Sequence, residues 1–138
     1  MTPGEARTAL NTAFQQGWAN ATPIKWGNDA NLLPPDQAWV RFTVVHSGGF
    51  ARSWTGTNVA WHYYGMAVAQ IYVPLGTGTA LSDTLVLRVI RSLQGKTLGP
   101  LETGAANIKE AGNDNAGRWL VNVYIPFDYD EIEAAETA

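Results

Sequence analysis

The chain of 138 residues has no cysteine, only two histidines and no long apolar run. Without cysteine, disulfides and thiolate zinc sites are excluded, which fits a reducing compartment. No apolar stretch approaches the roughly 20 residues of a membrane-spanning helix. The opening MTPGEARTAL contains an acid and lacks the apolar core of a signal peptide. We therefore expect a soluble protein that is made in the cytoplasm and does not enter a membrane.

Charged residues are also scarce, at 15% of the chain, and nine are basic against twelve acidic. The basic residues are scattered and form no stripe, so we expect no sequence-specific binding of nucleic acid. Residues 128–138 hold five acids and no base. We interpret them as an acidic C-terminal tail, which is either a solvated end or a segment that docks on a basic patch of a neighbouring subunit.

The residue types that enzymes use are poorly placed. His46 and His62 have no cysteine beside them, and no serine lies in a G-x-S-x-G elbow. The acidic residues that remain lie nearly all in predicted turns or helix ends. We therefore expect no enzyme, no catalytic residue, no metal site and no cofactor.

The segment Gly76-Thr77-Gly78-Thr79 has the outline of a phosphate-binding loop, because it follows a predicted strand and precedes a predicted helix. A Walker loop needs a lysine directly after its last glycine, and here Thr79 and Ala80 follow instead. The glycines are better explained by a tight turn, with Thr77 or Thr79 as the helix cap.

Two segments have helical periodicity. The first, over about 3–18, begins with a capping box of Thr2 and Glu5. The second, over about 78–94, ends at Gly95. Their predicted apolar stripes are Ala6, Leu10, Phe14 and Trp18 in the first helix, and Leu81, Leu85, Val89 and Leu93 in the second, widened by Val86 and Ile90.

Six further segments read as strands. They lie near residues 23–26, 38–46, 66–74, 98–102, 107–111 and 118–127. Ser47-Gly48-Gly49 is expected to break the second of them, and residues 47–65 to form a hairpin or loop. Two amphipathic helices need a sheet face to bury their stripes. The predicted fold is thus α+β, one domain over 1–138, with a mainly antiparallel (mixed) sheet and two amphipathic helices packed on one face.

The predicted hairpin is rich in the residue types that anchor protein interfaces. Its large side chains are Phe50, Arg52, Trp54, Trp61, Tyr63 and Tyr64. We interpret this segment as an interaction surface. The alternative is that about half of these side chains fold back into the core.

Four segments together resemble one protein family. They are T-P-G-E-A-R-T-A-L at 2–10, W-V-R-F at 39–42 after a Pro-Pro loop, Q-I-Y-V-P-L-G-T-G-T at 70–79, and W-L-V-N-V-Y-I-P-F-D-Y-D at 119–130. With these segments the chain resembles the tail terminator proteins of long-tailed bacteriophages. The resemblance extends over nearly the whole chain, except that residues 47–65 contain no family motif.

The resemblance implies a small α/β protein that forms a hexameric ring on the head-proximal end of the tail tube. Such a ring stops tube polymerisation and presents a surface to head-completion (neck) proteins. It implies a homo-oligomer in the virion tail whose partners are the tail tube protein and a head-completion protein, with neither catalytic residues nor cofactors. Two alternatives remain: another neck or tail-completion connector, or a monomeric domain that binds carbohydrate or peptide through its Trp/Tyr cluster.

Candidate interface residues follow from residue type and location. Contacts with a neighbouring subunit or with the tube are expected at Arg41, Phe50, Arg52, Trp54, Trp61 and Tyr63. The acids Asp128, Asp130 and Glu131 are expected to meet basic residues across an interface.

Overall fold

The computed structural model describes residues 1–28, 37–76, 78–114 and 117–134. Its elements are α1 (Pro3–Trp18), β1 (Ile24–Trp26), β2 (Trp39–Thr55), β3 (Asn58–Pro74), α2 (Ala80–Leu93), β4 (Thr97–Leu98), β5 (Leu101–Thr103), β6 (Asn107–Asn113) and β7 (Arg118–Ala134). The strands form one sheet in the order β1-β2-β3-β7-β5-β4, and β6 also pairs with β7. The β1–β2 pair is parallel and the others are antiparallel. The predicted α+β fold with a mixed, mainly antiparallel sheet is confirmed.

Helix α1 begins and packs as its sequence predicts. The Thr2 hydroxyl accepts a hydrogen bond from the Glu5 amide, and the Glu5 carboxylate accepts one from the Thr2 amide, which completes the capping box. The predicted apolar stripe is fully buried. Within it, the Phe14 ring stacks on Phe42 of β2 at 4.2 Å between ring centres. This contact fixes α1 against the sheet.

Helix α2 departs from its prediction at its first turn. Thr79 is the residue before the helix, but its side chain makes no capping hydrogen bond, because its backbone is helical rather than extended. Thr77 lies outside the described residues. Gly76 and Gly78 both have positive φ, as a tight turn requires. Leu81 is exposed, and the neighbouring Ser82 takes the inward position. The rest of the predicted stripe packs against the sheet.

The core lies between the helices and one face of the three central strands. Alternate residues of each strand face the helices and are buried: Val40, Phe42 and Val44 of β2; Ala67, Ala69, Ile71 and Val73 of β3; Val121, Val123, Ile125 and Phe127 of β7. Burial of such a side chain stabilises a fold by roughly 1.5–3 kcal/mol. No helix in the described part of the chain is long and apolar enough to cross a membrane.

The expected strand break at Ser47-Gly48-Gly49 is wrong. Strand β2 passes through these residues with a register shift between His46 and Gly48, and it continues to Thr55. The glycines leave room for rings of β3, since a Cβ on Gly48 would lie 2.6 Å from the Tyr64 hydroxyl and one on Gly49 2.5 Å from the Tyr63 ring. Residues 47–65 therefore form a hairpin and not a loop, with a second register shift in β2 between Ala51 and Ser53.

The expected acidic tail is also corrected over its first seven residues. Residues 128–134 are the last part of β7 and pair with β3 as far as Asn58. Residues 135–138 lie outside the described part of the chain. This part of β7 forms because of residues distant in sequence. Strand β3 supplies the backbone hydrogen bonds, and its His62 side chain lies between Asp128 and Asp130.

Candidate functional site

The three central strands extend well beyond the helices. Strands β2, β3 and β7 have 17 residues each, whereas α1 has 16 and α2 has 14. A strand of that length spans about 55 Å and the longer helix about 24 Å. The helices pack on the part of the sheet that ends near Val44, Ala67 and Phe127. We call the remaining three-stranded part, residues 49–55, 58–64 and 128–134, the arm.

A polar cluster centred on His62 lies on the arm face that points away from the helices. His62 is buried, with its Nδ1 2.6 Å from an oxygen of Asp130 and its Nε2 3.2 Å from an oxygen of Asp128. Arg52 lies 3.1 Å from the other oxygen of Asp130. Asp128 and Asp130, which were expected to meet basic residues across an interface, thus have partners in their own chain. Among the described residues, Glu131 makes no ion pair.

This cluster borders a polar depression of about 210 Å³, to which Pro100, Glu102 and Tyr129 also contribute. Within the described ranges, no group of three or more His, Cys, Asp or Glu side chains is arranged to hold a metal ion. The cluster has the character of a structural ion-pair network. It ties β2, β3 and β7 together across their width.

The other arm face carries two tryptophans. Trp61 donates a hydrogen bond to the Glu133 carboxylate at 2.6 Å, and the Trp54 ring meets the Trp61 ring edge-on at 6.5 Å. Trp54 is 67% exposed on this face, whereas Phe50 and Ile132 are exposed on the opposite face, Ile132 to 71%. Single exposed apolar residues are ordinary, but exposed apolar residues on both faces of one narrow arm are consistent with contacts to a partner.

Two of the predicted interface residues do not fit an interface on the arm. Tyr63 packs at the base of the arm against the core, with its ring centre 5.6 Å from that of Tyr129, so the fold-back alternative holds for this residue. Arg41 lies outside the arm, beside Trp39 on the sheet face away from the helices. The arm therefore brings together Phe50, Arg52, Trp54, Trp61, Asp128, Asp130 and Glu131.

A partly buried hydrogen bond at the arm base joins β2 to β7. The Nε2 atom of His46 lies 2.8 Å from the Tyr129 hydroxyl, and the two rings meet edge-on. Burial, assisted by the Arg7 charge, lowers the pKa of His46 below its ordinary value. Burial, followed by the charges of Glu131 and Tyr63, raises the pKa of Tyr129 to about 12. Both groups are thus held neutral near pH 7, which suits a structural hydrogen bond.

The arm has two open strand edges. Strand β1 pairs with β2 only over Val40–Phe42, and in the described part of the chain no strand pairs with the outer edge of β2 from 43 to 55. On the other side, β6 and β5 pair with β7 no further than Asp128, so among described residues its outer edge from 129 to 134 is open as well. Unpaired edges of this kind are templates for pairing with another chain.

Sequence reasoning missed the β7 edge and the exposed Ile132. The sequence did contain a signal for a longer strand. The alternation of inward-facing apolar residues does not stop at Phe127 but continues to Tyr129, which is buried, while Asp128 and Asp130 face outward. The density of acids in this segment favoured a solvated end. The pattern of apolar residues was the better guide.

No known family model matches the sequence, and no curated protein matches it. Solved structures do match. One of them, which carries no functional description, superposes with a TM-score of 0.60 at 17% sequence identity. That alignment covers 89% of this chain and 94% of the other. At this identity the similarity shows a shared fold and leaves the function to be inferred from the chain itself.

Proposed function

We propose that this chain is a tail terminator protein of a long-tailed bacteriophage. Six copies form a ring that caps the head-proximal end of the tail tube, stops its polymerisation and offers a surface to the head-completion protein. The protein acts in the virion, after synthesis in the host cytoplasm, through binding alone. It is not an enzyme, and it uses no cofactor.

The observation that carries the proposal is the arm with its two open edges. A ring needs a heterologous contact, in which one patch of a subunit meets a different patch of the next. The two edges meet this requirement, because they lie on opposite sides of the arm and differ in sequence. The β7 edge carries the acids Asp130, Glu131 and Glu133, whereas the β2 edge from 43 to 55 carries no acid. Repulsion between acidic residues disfavours the pairing of two β7 edges, but not the head-to-tail pairing of a β7 edge with a β2 edge.

The exposed aromatic residues support the same conclusion. Tryptophan is among the side chains that contribute most to protein interfaces, and the most exposed one here, Trp54, lies near the tip of the arm. The proposal assigns Phe50 and Trp54 to contacts with a neighbouring subunit or with the tail tube. Arg52 and Trp61 then hold the arm in shape, through Asp130 and Glu133 respectively.

The test is complementation of a phage that lacks this chain. Trp54→Ala and Phe50→Ala are expected to fold normally but to leave tails overlong or without heads in electron micrographs. Leu87→Ala is a matched control, since Leu87 is an exposed apolar residue on α2, away from the arm. Tails of normal length with both arm variants would contradict the assignment of the arm.

Solution mass and negative-stain images separate the proposal from its alternatives. Rings with six-fold symmetry, alone or on tail tubes, support the terminator. Tails of normal length that lack heads point to another connector of the neck. A monomer that binds sugar and ignores tubes would overturn the whole class.

A further inference from the structure

A second group of residues lies on the sheet face away from the helices, outside the arm. Trp39 is only 2% exposed there, and its ring stacks on Tyr72 of β3 at 4.1 Å. Three cationic side chains surround the Trp39 ring. Their distances from its centre are 5.8 Å for Lys25 Nζ, 6.0 Å for Arg41 Cζ and 5.4 Å for Arg118 Cζ.

Three hydrogen-bond donors in this group have no acceptor. They are Lys25 Nζ, Trp39 Nε1 and Arg41 Nε, all buried and without a hydrogen-bond partner. Lys25 is only 2% exposed. Buried polar groups are nearly always paired, so three unpaired donors around one indole ring indicate an absent acceptor.

Two of the three cations in this group, Lys25 and Arg41, have no carboxylate partner among the described residues. Lys25 and Arg41 are direct cross-strand neighbours in the β1–β2 pair, where like charges repel. Arg118 has a carboxylate partner, Asp114, at 2.9 Å. Lys25 and Arg41 take part in no ion pair with any other residue. A buried charge destabilises a fold unless an opposite charge pairs with it, and neither Lys25 nor Arg41 has such a partner in the described part of the chain.

We propose that Lys25, Trp39 and Arg41 bind one small oxyanion, a phosphate or a carboxylate. An oxyanion accepts several hydrogen bonds, so a single ligand can pair with the ammonium, the guanidinium Nε–H and the indole N–H. Arg41 is partly buried, and it connects the site to the surface. The ligand is either a free ion or an acidic side chain of a second copy of this chain. The site lies outside the arm and does not depend on the proposed function.

The melting temperature of the purified chain tests the proposal. It is measured with increasing inorganic phosphate or acetate, with sodium chloride holding the ionic strength constant. We expect at least one of these anions to raise the melting temperature of the wild type saturably and by several degrees. Lys96→Met, which removes an exposed lysine elsewhere, is expected to respond as the wild type does.

Lys25→Met is expected to behave differently in two ways. It should lose the response to anions, and without anions it should melt above the wild type, because an apolar chain replaces an unpaired buried ammonium. If Lys25→Met does not fold, Arg41→Gln, at the partly buried position, takes its place and is expected to lose the response. At a chain concentration low enough for the wild type to be monomeric, an equal response in the wild type and these variants would overturn the proposal, as would a lower melting temperature of anion-free Lys25→Met.

Sedimentation distinguishes the two sources of the anion. For a free ion, the sedimentation coefficient stays constant as acetate or phosphate is added. For an acidic side chain of a second copy, the same anions compete with it, so a concentration-dependent oligomer dissociates and Lys25→Met does not form it. Absence of both the thermal response and the competition would refute the site.

Discussion

Removal of one hydroxyl at the base of the arm tests how β2 and β7 are held together. Tyr129→Phe keeps a side chain that is 2% exposed and packed against His46, Tyr63 and Phe127, and it deletes the 2.8 Å hydrogen bond to His46. The bond itself contributes about 1 kcal/mol, and the imidazole nitrogen left without a partner adds a similar cost. We expect a loss of about 2 kcal/mol in the free energy of unfolding, or roughly 1 M in the urea midpoint at unchanged slope.

The pH dependence sharpens this prediction. Because the pKa of Tyr129 is raised to about 12 in the folded chain, the unfolded chain loses this proton first. Its stabilising effect is therefore complete below about pH 10 and disappears as pH rises towards 12. Tyr129→Phe has no hydroxyl to ionise. The difference in the free energy of unfolding between the wild type and Tyr129→Phe should therefore shrink above pH 10. Tyr64→Phe, at an exposed tyrosine, is the control, with an expected change under about 0.5 kcal/mol. Equal midpoints of Tyr129→Phe and wild type would refute the reasoning.

Three further predictions concern stability. Because the pKa of His46 is lowered in the folded chain, the unfolded chain takes up this proton first as the pH falls. At pH values below about 6.5, the urea midpoint of the wild type should therefore decrease more steeply with falling pH than that of His46→Gln. Gly65→Ala should cost at least about 2 kcal/mol in thermal unfolding, because its Cβ would overlap the Val45 carbonyl, whereas Gly4→Ala, whose Cβ would make only an ordinary contact of 4.0 Å with the Thr2 hydroxyl, should cost nothing. Thr2→Ala should cost about 1 kcal/mol through loss of the capping box, and circular dichroism melts that match the wild type would contradict that.

Local sequence signals were sufficient for helix α1 and the core strands. The capping box at Thr2 and the four-residue spacing of the α1 stripe act within one helix, so their outcome does not depend on distant residues. The same holds for the alternation in β2 before the glycines. The α+β fold followed because two amphipathic helices need a sheet face to cover.

The arm was harder to predict because its causes are non-local. Gly48 and Gly49 look like a strand break, yet their missing side chains make room for tyrosine rings of β3. Asp128 and Asp130 look like a solvated end until His62 and Arg52 are placed beside them. Lys25 gave no signal at all, since only the parallel pairing of β1 with β2 places it opposite Arg41.

The proposed function is that this chain ends the growth of a phage tail. The most direct measurement is the tail-length distribution, by electron microscopy, of particles made without it. We expect tails that are overlong, variable in length and unattached to heads. Tails of normal length joined to heads would contradict it.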